Sequence, residues 1–254
     1  MNNLVKYEVE ARIGTITLNR PEKSNALNPE LIAALTAALK KASEDKLVKI
    51  IVLKAAGNSF SAGADLAYLQ TLETNSFEEN LIDSRNLKDL FAAIYYSPKI
   101  VIAKVEGYAI AGGCGLATVC DFIFATPESC FGYTEVKIGF VPAIVSCFLP
   151  QKIGDTLTKE LLYTGKIISA NEALSFRLIN FVTNPEEIDQ KVHSFALHLC
   201  DNSSESSLKA TKALINKNID KELEVAVKMN AGIRETSDFK KGIKAFLNKQ
   251  KFNW

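Results

Sequence analysis

Two glycine-bearing segments stand where predicted strands give way to predicted helices. The first, Phe60–Asp65, reads FSAGAD, and the second, 107–116, reads GYAIAGGCGL. Glycine lets the backbone come close to a ligand, and a helix N-terminus presents free N–H groups with a partial positive charge. Two such turns side by side could hold an anion or a developing oxyanion. The spacing also fits close packing of a helix on a strand, and it matches neither a GxGxxG motif nor a P-loop.

A lone carboxylate follows in a third segment. Glu135 lies in 131–139, FGYTEVKIG, among aromatic and aliphatic residues. Apolar surroundings raise the pKa of a glutamate, which suits it to act as a general acid or base. An exposed or helix-capping glutamate is the alternative that this segment leaves open.

Alternating strand and helix patterns predict an α/β fold around these segments. Apolar runs at 49–54 and 100–105 are bounded by charges and are typical of strands covered on both faces. Asn28 and Pro29 form the N-cap and first position of a predicted helix. Further elements are predicted at 3–18 (a hairpin turning at Gly14), 76–96 (a helix), 122–125 and 178–182 (strands).

The pattern becomes helical and lysine-rich after about residue 185. We therefore divide the chain into a core at 1–190 and a helical region at 191–254. His193 and His198 stand five residues apart in a predicted helix, which is not the i, i+4 spacing of a helical metal pair, so no metal site is predicted. Phe239 and Phe246, seven apart, predict a packing seam on the last helix, either internal or against another subunit.

The bulk composition excludes several classes of protein. The 254 residues are 47% hydrophobic with a formal net charge of +1, which predicts a well-packed domain without a nucleic-acid or membrane partner. No apolar stretch reaches the roughly 20 residues of a membrane span, and the N-terminus lacks the apolar region of a secretory signal. The five cysteines form no CxxC pair, which favours reduced thiols in a cytoplasmic protein.

Taken together, the motifs resemble those of the enoyl-CoA hydratase/isomerase, or crotonase, superfamily. The resemblance runs from TLNRP at 17–21 and NAL at 25–27 through the two glycine segments to CD at 120–121. It continues with TG at 164–165 and AF at 245–246. It implies a spiral of ββα turns, with a C-terminal helical region that takes part in forming a homotrimer or a dimer of trimers.

The family resemblance also implies a site for an acyl-CoA thioester, with no cofactor beyond the CoA of the substrate. The backbone N–H groups of Ala64 and Gly112 would hold the thioester oxygen, and Glu135 would act on protons. Tyr68 and Phe140 are expected to line the acyl pocket, and Lys23 and Lys249 to approach the CoA phosphates. Residues near the two turns complete the expected substrate contacts: Ala62, Asp65, Leu66, Gly113 and Gly115. For Asp65, capping of the next helix is the favoured role.

Gly115 departs from the family pattern, because hydratases of this family carry a second catalytic glutamate there. Three interpretations remain open. The chain, closest in motif to methylglutaconyl-CoA hydratase-like bacterial members, is a hydratase that relies on Glu135. Alternatively, it is a Δ3,Δ2-enoyl-CoA isomerase that uses Glu135 as a single proton shuttle, or a non-catalytic acyl-CoA-binding relative. Ala143 stands where a dehalogenase branch carries its nucleophilic aspartate, which excludes that covalent chemistry.

Overall fold

The computed structural model describes residues 4–72, 74–250 and 254, which form two β-sheets and a surrounding set of helices. The strands are β1 (Val5–Glu10), β2 (Ile13–Leu18), β3 (Ile50–Ala55), β4 (Ser59–Ser61), β5 (Ile100–Val105), β6 (Tyr108–Ile110), β7 (Phe122–Ala125), β8 (Cys130–Gly132), β9 (Ile167–Ser169) and β10 (Phe181–Val182). The α-helices are α1 (Pro29–Glu44), α2 (Leu66–Leu72), α3 (Phe77–Tyr95), α4 (Gly112–Thr118), α5 (Ala143–Ser146), α6 (Leu149–Thr164), α7 (Ala170–Ser175), α8 (Ile188–Asn202), α9 (Glu205–Ile215), α10 (Asp220–Gly232) and α11 (Ser237–Leu247). Short 3-10 helices occupy Pro21–Lys23, Glu135–Ile138 and Ile233–Glu235.

A strand–strand–helix unit recurs along the chain as β3–β4–α2, β5–β6–α4 and β7–β8 followed by the 3-10 helix at Glu135–Ile138. The first strand of each unit adds in parallel to a six-stranded sheet of order β1-β2-β3-β5-β7-β10. The second adds in parallel to a four-stranded sheet of order β4-β6-β8-β9. Each unit is one turn of a spiral, so the predicted α/β spiral is confirmed.

The apolar runs of β3 and β5 are buried on both faces of the large sheet. In β3, Ile51 and Leu53 pack into the core that α1 and α3 cover. Ile50 and Val52 point the other way, into a second core that α8 covers. Alternate residues of one strand thus belong to different cores, which explains an uninterrupted apolar sequence. The predicted N-cap is confirmed as well, since the Asn28 side chain accepts a hydrogen bond from the Leu31 N–H at 3.0 Å.

The predicted hairpin forms, but the prediction of its turn at Gly14 is wrong. Glu10 pairs with Ile13, so the turn is Ala11-Arg12, where both residues have positive φ (47° and 66°). A turn of that hand matches the twist of a hairpin. Gly14 lies inside β2, and a Cβ there would approach the Val48 side chain at 3.1 Å.

The strand predicted at 178–182 is shorter than expected. The family resemblance implied a second strand in each ββα turn, but the sequence pattern located none of the strands of the second sheet. Only Phe181–Val182 pairs with β7, while the N–H groups of Leu178 and Ile179 both donate to the Ala173 carbonyl. The strands of the second sheet are three residues each, too short to show an alternating pattern.

The C-terminal helices return to the core. α8 covers the large sheet, α10 packs against α3, and α11 packs against the 3-10 helix at Glu135–Ile138. His193 and His198 are both exposed on α8. Phe239 is fully buried whereas Phe246 is 45% exposed, so internal packing is confirmed only for Phe239. A contact of Phe246 with another subunit stays a prediction. The boundary near residue 190 falls within α8, and the division into two parts stays a prediction.

Lysine side chains cap the C-terminal ends of several helices by hydrogen bonds to backbone carbonyls. Lys99 Nζ donates to Ala42 and Asp45 carbonyls at the end of α1, at 2.7 and 2.5 Å. Lys152 binds two carbonyls at the end of α4, and burial lowers its pKa to about 8. Lys212 binds the Ile94 carbonyl at the end of α3. These ammonium groups satisfy carbonyls that have no partner in the helix, at its negative end.

Within the described part of the chain, no helix is both long and apolar enough to cross a bilayer.

Replacing Lys212 by methionine is expected to lower the free energy of unfolding by about 3 kcal/mol, because it removes one partner of a buried ion pair. Lys212 Nζ lies 2.7 Å from the Asp121 carboxylate, and their side chains are 5% and 17% exposed. Urea unfolding measures the change. The exposed Lys209, on the same helix, is the matched control, and Lys209→Met is expected to change stability by less than about 0.5 kcal/mol. Equal effects of the two substitutions would contradict a role for the buried pair.

Candidate active site

An apolar cavity of about 510 Å³ lies beside the N-terminal ends of α2 and α4. That volume suits a small organic ligand. Of the residues predicted for the site, Ala62, Ala64, Tyr68, Gly112, Glu135 and Phe140 line the cavity. Its other lining residues include Leu27, Ile32, Leu69, Leu72, Asp83, Leu87, Phe91, Thr134, Lys137, Val141, Asn230, Arg234, Ala245, Phe246 and Gln250.

The two glycine turns are held against each other by direct backbone contact. β4 and β6 pair in parallel, so the segments that follow them emerge at one edge of the small sheet. A Cβ on Gly113 would lie 2.4 Å from the Ser61 carbonyl oxygen, and a Cβ on Gly63 would lie 2.9 Å from that of Ile110. Only glycine permits this approach, and Gly63 also needs its positive φ of 86°. The turns predicted separately therefore form one structure.

The N–H of Ala64 points away from the neighbouring backbone segment at Leu27. Leu27 forms a parallel bridge with Ala64, in which the Leu27 N–H donates to the Gly63 carbonyl and the Asp65 N–H donates to the Leu27 carbonyl. In such a bridge, the polar groups of the central residue face the opposite side. Since Ala64 lines the cavity, its N–H is available to a ligand there.

Gly112 provides a second donor. It is the first residue of α4, and the first N–H groups of a helix have no acceptor within it. The preceding Ala111 has φ 49° and ψ −124°, a strained conformation for a residue with a Cβ. A hydrogen bond of 2.7 Å from the Ala111 N–H to the Gly132 carbonyl holds it in place. Two donors on one cavity can stabilise negative charge on an oxygen.

Glu135 is the unpaired acid of the cavity. Its side chain is 8% exposed, and Oε2 has no hydrogen-bond partner among the described residues. Burial raises the pKa of Glu135 to about 7, and a hydrogen bond from its own backbone N–H opposes that rise. The carboxyl group therefore exchanges protons near neutral pH, as a general acid or base must.

Gly115 does not line the cavity, and the place that a larger residue would need is already filled. A Cβ on Gly115 would approach the Phe91 ring at 2.8 and 2.9 Å. Phe91 itself lines the cavity. An aromatic edge thus lies where the family resemblance would expect a glutamate, and Glu135 has no second carboxylate opposite it at position 115.

A polar network forms one wall of the cavity. The Tyr68 hydroxyl donates to Asp83 Oδ1, and Arg234 pairs with Asp83 Oδ2 at 2.7 Å. Burial raises the pKa of Tyr68, and the neighbouring Asp83 carboxylate raises it further, so the phenol stays neutral. The Arg234 guanidinium lies 5.3 Å above the Phe140 ring. Charges on this wall are therefore balanced within the protein.

Six of the predicted contact residues lie outside the cavity lining: Gly113, Gly115, Asp65, Leu66, Lys23 and Lys249. Asp65 caps α2 through the N–H groups of Ala67 and Tyr68, at 2.9 and 3.1 Å, and pairs with Arg20 at 2.6 Å. Burial opposes ionisation of Asp65, but these bonds outweigh it and lower its pKa. Leu66 is 55% exposed. Lys23 and Lys249 are also exposed, and their contact with CoA phosphates stays a prediction.

Sequence reasoning missed Asp83, Asn230 and Arg234. A signal for two of them was present, since Asn230 falls on the apolar stripe of α10 that includes Ala226, Val227 and Ala231, and Arg234 follows at the i+4 position in the adjoining 3-10 helix. A polar residue on an apolar stripe indicates a buried hydrogen-bonding group. Asp83 gave no such signal, because only the tertiary structure brings α3 against Arg234.

Gly115→Ala is expected to destabilise the protein by about 1–3 kcal/mol, because the added methyl group overlaps the Phe91 ring. Gly232→Ala is the matched control, since Gly232 is also a helical glycine and no atom lies within 4 Å of a Cβ built there. That substitution should leave stability unchanged or raise it by up to about 1 kcal/mol. Thermal unfolding of both variants measures the difference. A stable Gly115→Ala protein would show that Phe91 yields easily.

Glu135→Gln is expected to stabilise the protein at pH 8. The folded pKa of about 7 exceeds the ordinary 4.5, so the stability that Glu135 contributes is complete below pH 4.5 and is lost as pH rises through 7. The pKa difference corresponds to about 3 kcal/mol. The stability of the variant relative to the native protein should therefore rise by roughly that amount between pH 4.5 and pH 8. Urea unfolding at several pH values tests this, with the exposed Glu128→Gln as control. A pH-independent difference would refute the raised pKa.

The sequence and fold are similar to those of known proteins over nearly the whole chain. A family model for enoyl-CoA hydratase/isomerase matches residues 8–254. A Thermus thermophilus protein provisionally named enoyl-CoA hydratase is 38% identical over 95% of this chain and 96% of its own. The crotonyl-CoA hydratase of Syntrophomonas wolfei is 33% identical, over 97% and 96% of the two chains. The crystal structure of an enoyl-CoA hydratase from Mycobacterium avium superimposes with a TM-score of 0.87 at 31% identity, over 100% of both chains. The chain therefore belongs to the enoyl-CoA hydratase/isomerase family.

Proposed function

We propose that the protein is an enoyl-CoA hydratase whose acid–base chemistry depends on Glu135 alone. The observation that carries this proposal is a buried carboxyl group, with Oε2 unpartnered among the described residues, in the cavity that Ala64 and Gly112 also line. A carboxyl group with a pKa of about 7 can both accept and return a proton at neutral pH. Family members with these names add water to enoyl-CoA thioesters, and the chain shares their fold throughout.

Ala64 and Gly112 would donate hydrogen bonds to the thioester oxygen. As water adds to C3, the Glu135 carboxylate takes one of its protons, and the electron pair of the C2–C3 double bond moves toward the thioester to form an enolate. The protonated Glu135 then delivers a proton to C2, which restores the thioester and leaves a 3-hydroxyacyl product. The two donors stabilise the enolate oxygen, and each donor of this kind typically contributes about 3 kcal/mol.

The narrower part of the proposal is a substrate of the methylglutaconyl-CoA type, following the motif resemblance around Gly115 and 134–146. The proposed reaction would need no cofactor beyond the CoA of the substrate. Lys23 and Lys249 are exposed and free to approach its phosphates. A homotrimer or a dimer of trimers is part of the same proposal, supported by the family resemblance of the C-terminal helices.

A second candidate is Δ3,Δ2-enoyl-CoA isomerisation, favoured by the Phe91 ring that fills the space beside Gly115. An isomerase needs only one proton carrier, which removes a proton from C2 of a 3-enoyl-CoA and returns it to C4. An apolar edge in place of a second carboxylate also leaves less to hold a water molecule. The same oxyanion site would stabilise the dienolate.

The two reactions are separated by substrate. Crotonyl-CoA should lose its conjugated-enoyl absorbance as 3-hydroxybutyryl-CoA forms, at a rate well above that of buffer. A 3-enoyl-CoA such as 3-hexenoyl-CoA should be converted slowly or not at all. Migration of the double bond in the second substrate, with no hydration of the first, would replace the hydratase proposal by the isomerase. Binding of both without conversion would leave a non-catalytic acyl-CoA-binding protein.

Glu135→Gln is expected to lower kcat by a factor of about 100 to 10,000 while butyryl-CoA still binds, since the amide cannot exchange protons. In the native enzyme, kcat/KM should fall as pH drops below about 7, because the carboxylate form then declines. Stopped-flow absorbance measures the rates and calorimetry the binding. The exposed Glu128→Gln should retain the native rate and pH profile. Native turnover by the Glu135 variant would remove this residue from the mechanism.

A further inference from the structure

Arg234 has a buried N–H group that the protein leaves unused. Its side chain is 3% exposed and lines the cavity. The two terminal nitrogens bind Asn80 Oδ1 at 3.1 Å, Asn230 Oδ1 at 2.8 Å and Asp83 Oδ2 at 2.7 Å. Nε, in contrast, has no hydrogen-bond partner among the described residues. A buried guanidinium N–H without an acceptor is costly, so the site is incomplete by itself.

Asn230 presents a second free donor on the same wall. Its Oδ1 accepts from Ser84 and from Arg234, both at 2.8 Å, which fixes the orientation of the amide. Its Nδ2 donates to the Val141 carbonyl at 3.4 Å, and an amide nitrogen carries two hydrogens. One N–H of Asn230 is therefore left for a ligand in the cavity that this residue lines.

The position of this wall assigns it to the acyl group and not to the CoA moiety. Arg234 is buried and stacks over Phe140, whose N–H donates to the Glu135 carbonyl at 3.0 Å. At 3% exposure, the Arg234 side chain lies in the closed part of the cavity and not at its mouth. The CoA portion of a thioester must extend to solvent, whereas the acyl group enters the cavity. An unsubstituted hydrocarbon chain would leave both donors without an acceptor.

We propose that the acyl group carries an acceptor oxygen beyond C3, as a carboxylate or a neutral carbonyl, and that Arg234 and Asn230 bind it. The inference rests on the proposed acyl-CoA site. The two free donors support an oxygen-bearing acyl group independently of the motif resemblance that suggested a methylglutaconyl-CoA type of substrate. Asp83 neutralises the guanidinium charge, so the recognition works through the free N–H groups and accommodates either kind of oxygen. Arg234 and Asn230 are specificity-determining residues in this scheme.

Binding of saturated thioesters tests the proposal without requiring turnover. Calorimetry compares glutaryl-CoA, its neutral amide analogue glutaramyl-CoA, and pentanoyl-CoA. At least one of the two oxygen-bearing thioesters should bind about tenfold more tightly than pentanoyl-CoA, as expected for a hydrogen bond to a charged donor. Tighter binding of glutaryl-CoA than of the amide identifies an anionic acyl group, and equal binding identifies a neutral acceptor. Binding of pentanoyl-CoA as tight as or tighter than both would overturn the proposal.

Substitutions connect the preference to these residues. Asn230→Asp keeps the Oδ1 acceptor and removes the donor, and it should reduce the preference for glutaryl-CoA about tenfold or more. Asp83→Asn combined with Arg234→Gln removes both charges together, so that no buried charge is left unpaired. It should remove the preference for either oxygen-bearing thioester. Arg85→Gln, an exposed change on the same helix as Asp83, is the matched control and should keep the native preference.

Unfolding curves establish that each variant is folded before its affinity is compared. Should the double variant fail to fold, the comparison of the three thioesters and the Asn230→Asp variant still decide the outcome. An unchanged preference in folded Asn230→Asp and in the folded double variant would overturn the assignment of the residues. If the protein does not hydrate enoyl-CoA but still binds an oxygen-bearing thioester more tightly than pentanoyl-CoA, the proposed reaction is rejected and this inference stands. If it hydrates enoyl-CoA but shows no such preference, this inference is rejected and the proposed reaction stands.

Discussion

The direct contact between two backbone turns is the constraint on which the proposed site depends. Gly113 lies against the Ser61 carbonyl and Gly63 against the Ile110 carbonyl, at distances that leave no room for a Cβ. This contact follows from the parallel pairing of β4 and β6, and it places Ala64 and Gly112 on one cavity. Neither N–H would be useful alone. The close-packing interpretation of the glycine spacing is therefore confirmed, and the oxyanion site that the other interpretation gave to these turns stays a proposal.

Burial of Glu135 makes its carboxyl group useful as an acid and a base, but it lowers the stability of the folded protein when that group is ionised. The apolar cavity raises the pKa of the carboxyl group to about 7, which brings its titration into the range where it can act as a base and then as an acid. The same burial makes the ionised form a cost to the folded state. The Phe91 ring beside Gly115 contributes to these apolar surroundings and occupies space that a second acid would need. The pattern is typical of a site where stability is given up for function.

Buried cations occur throughout this protein, and their hydrogen bonds provide a standard for judging Arg234. Lys99 and Lys152 each reach two backbone carbonyls, and Lys212 reaches two carbonyls and a carboxylate. These lysines bind carbonyls at the C-terminal ends of helices, and they do not line the cavity. Arg234 is equally buried, yet it keeps a free N–H and lines the cavity. Its incomplete set of partners is therefore a local property of the cavity wall and not a general feature of buried cations in this fold.

The sequence by itself determined the elements whose signal is local. The apolar runs of β3 and β5 and the capping of α1 by Asn28 follow from hydrophobicity and side-chain hydrogen bonding, which act within a few residues. The motifs were specific enough to identify the family and to single out Glu135. The tertiary structure alone decided the hairpin turn at Ala11-Arg12, the positions of the short strands of the second sheet, and the wall formed by Asp83, Asn230 and Arg234. These depend on contacts between segments far apart in the chain, where burial and pairing override local preference, and a sequence pattern does not record which distant atoms come within a hydrogen bond of one another.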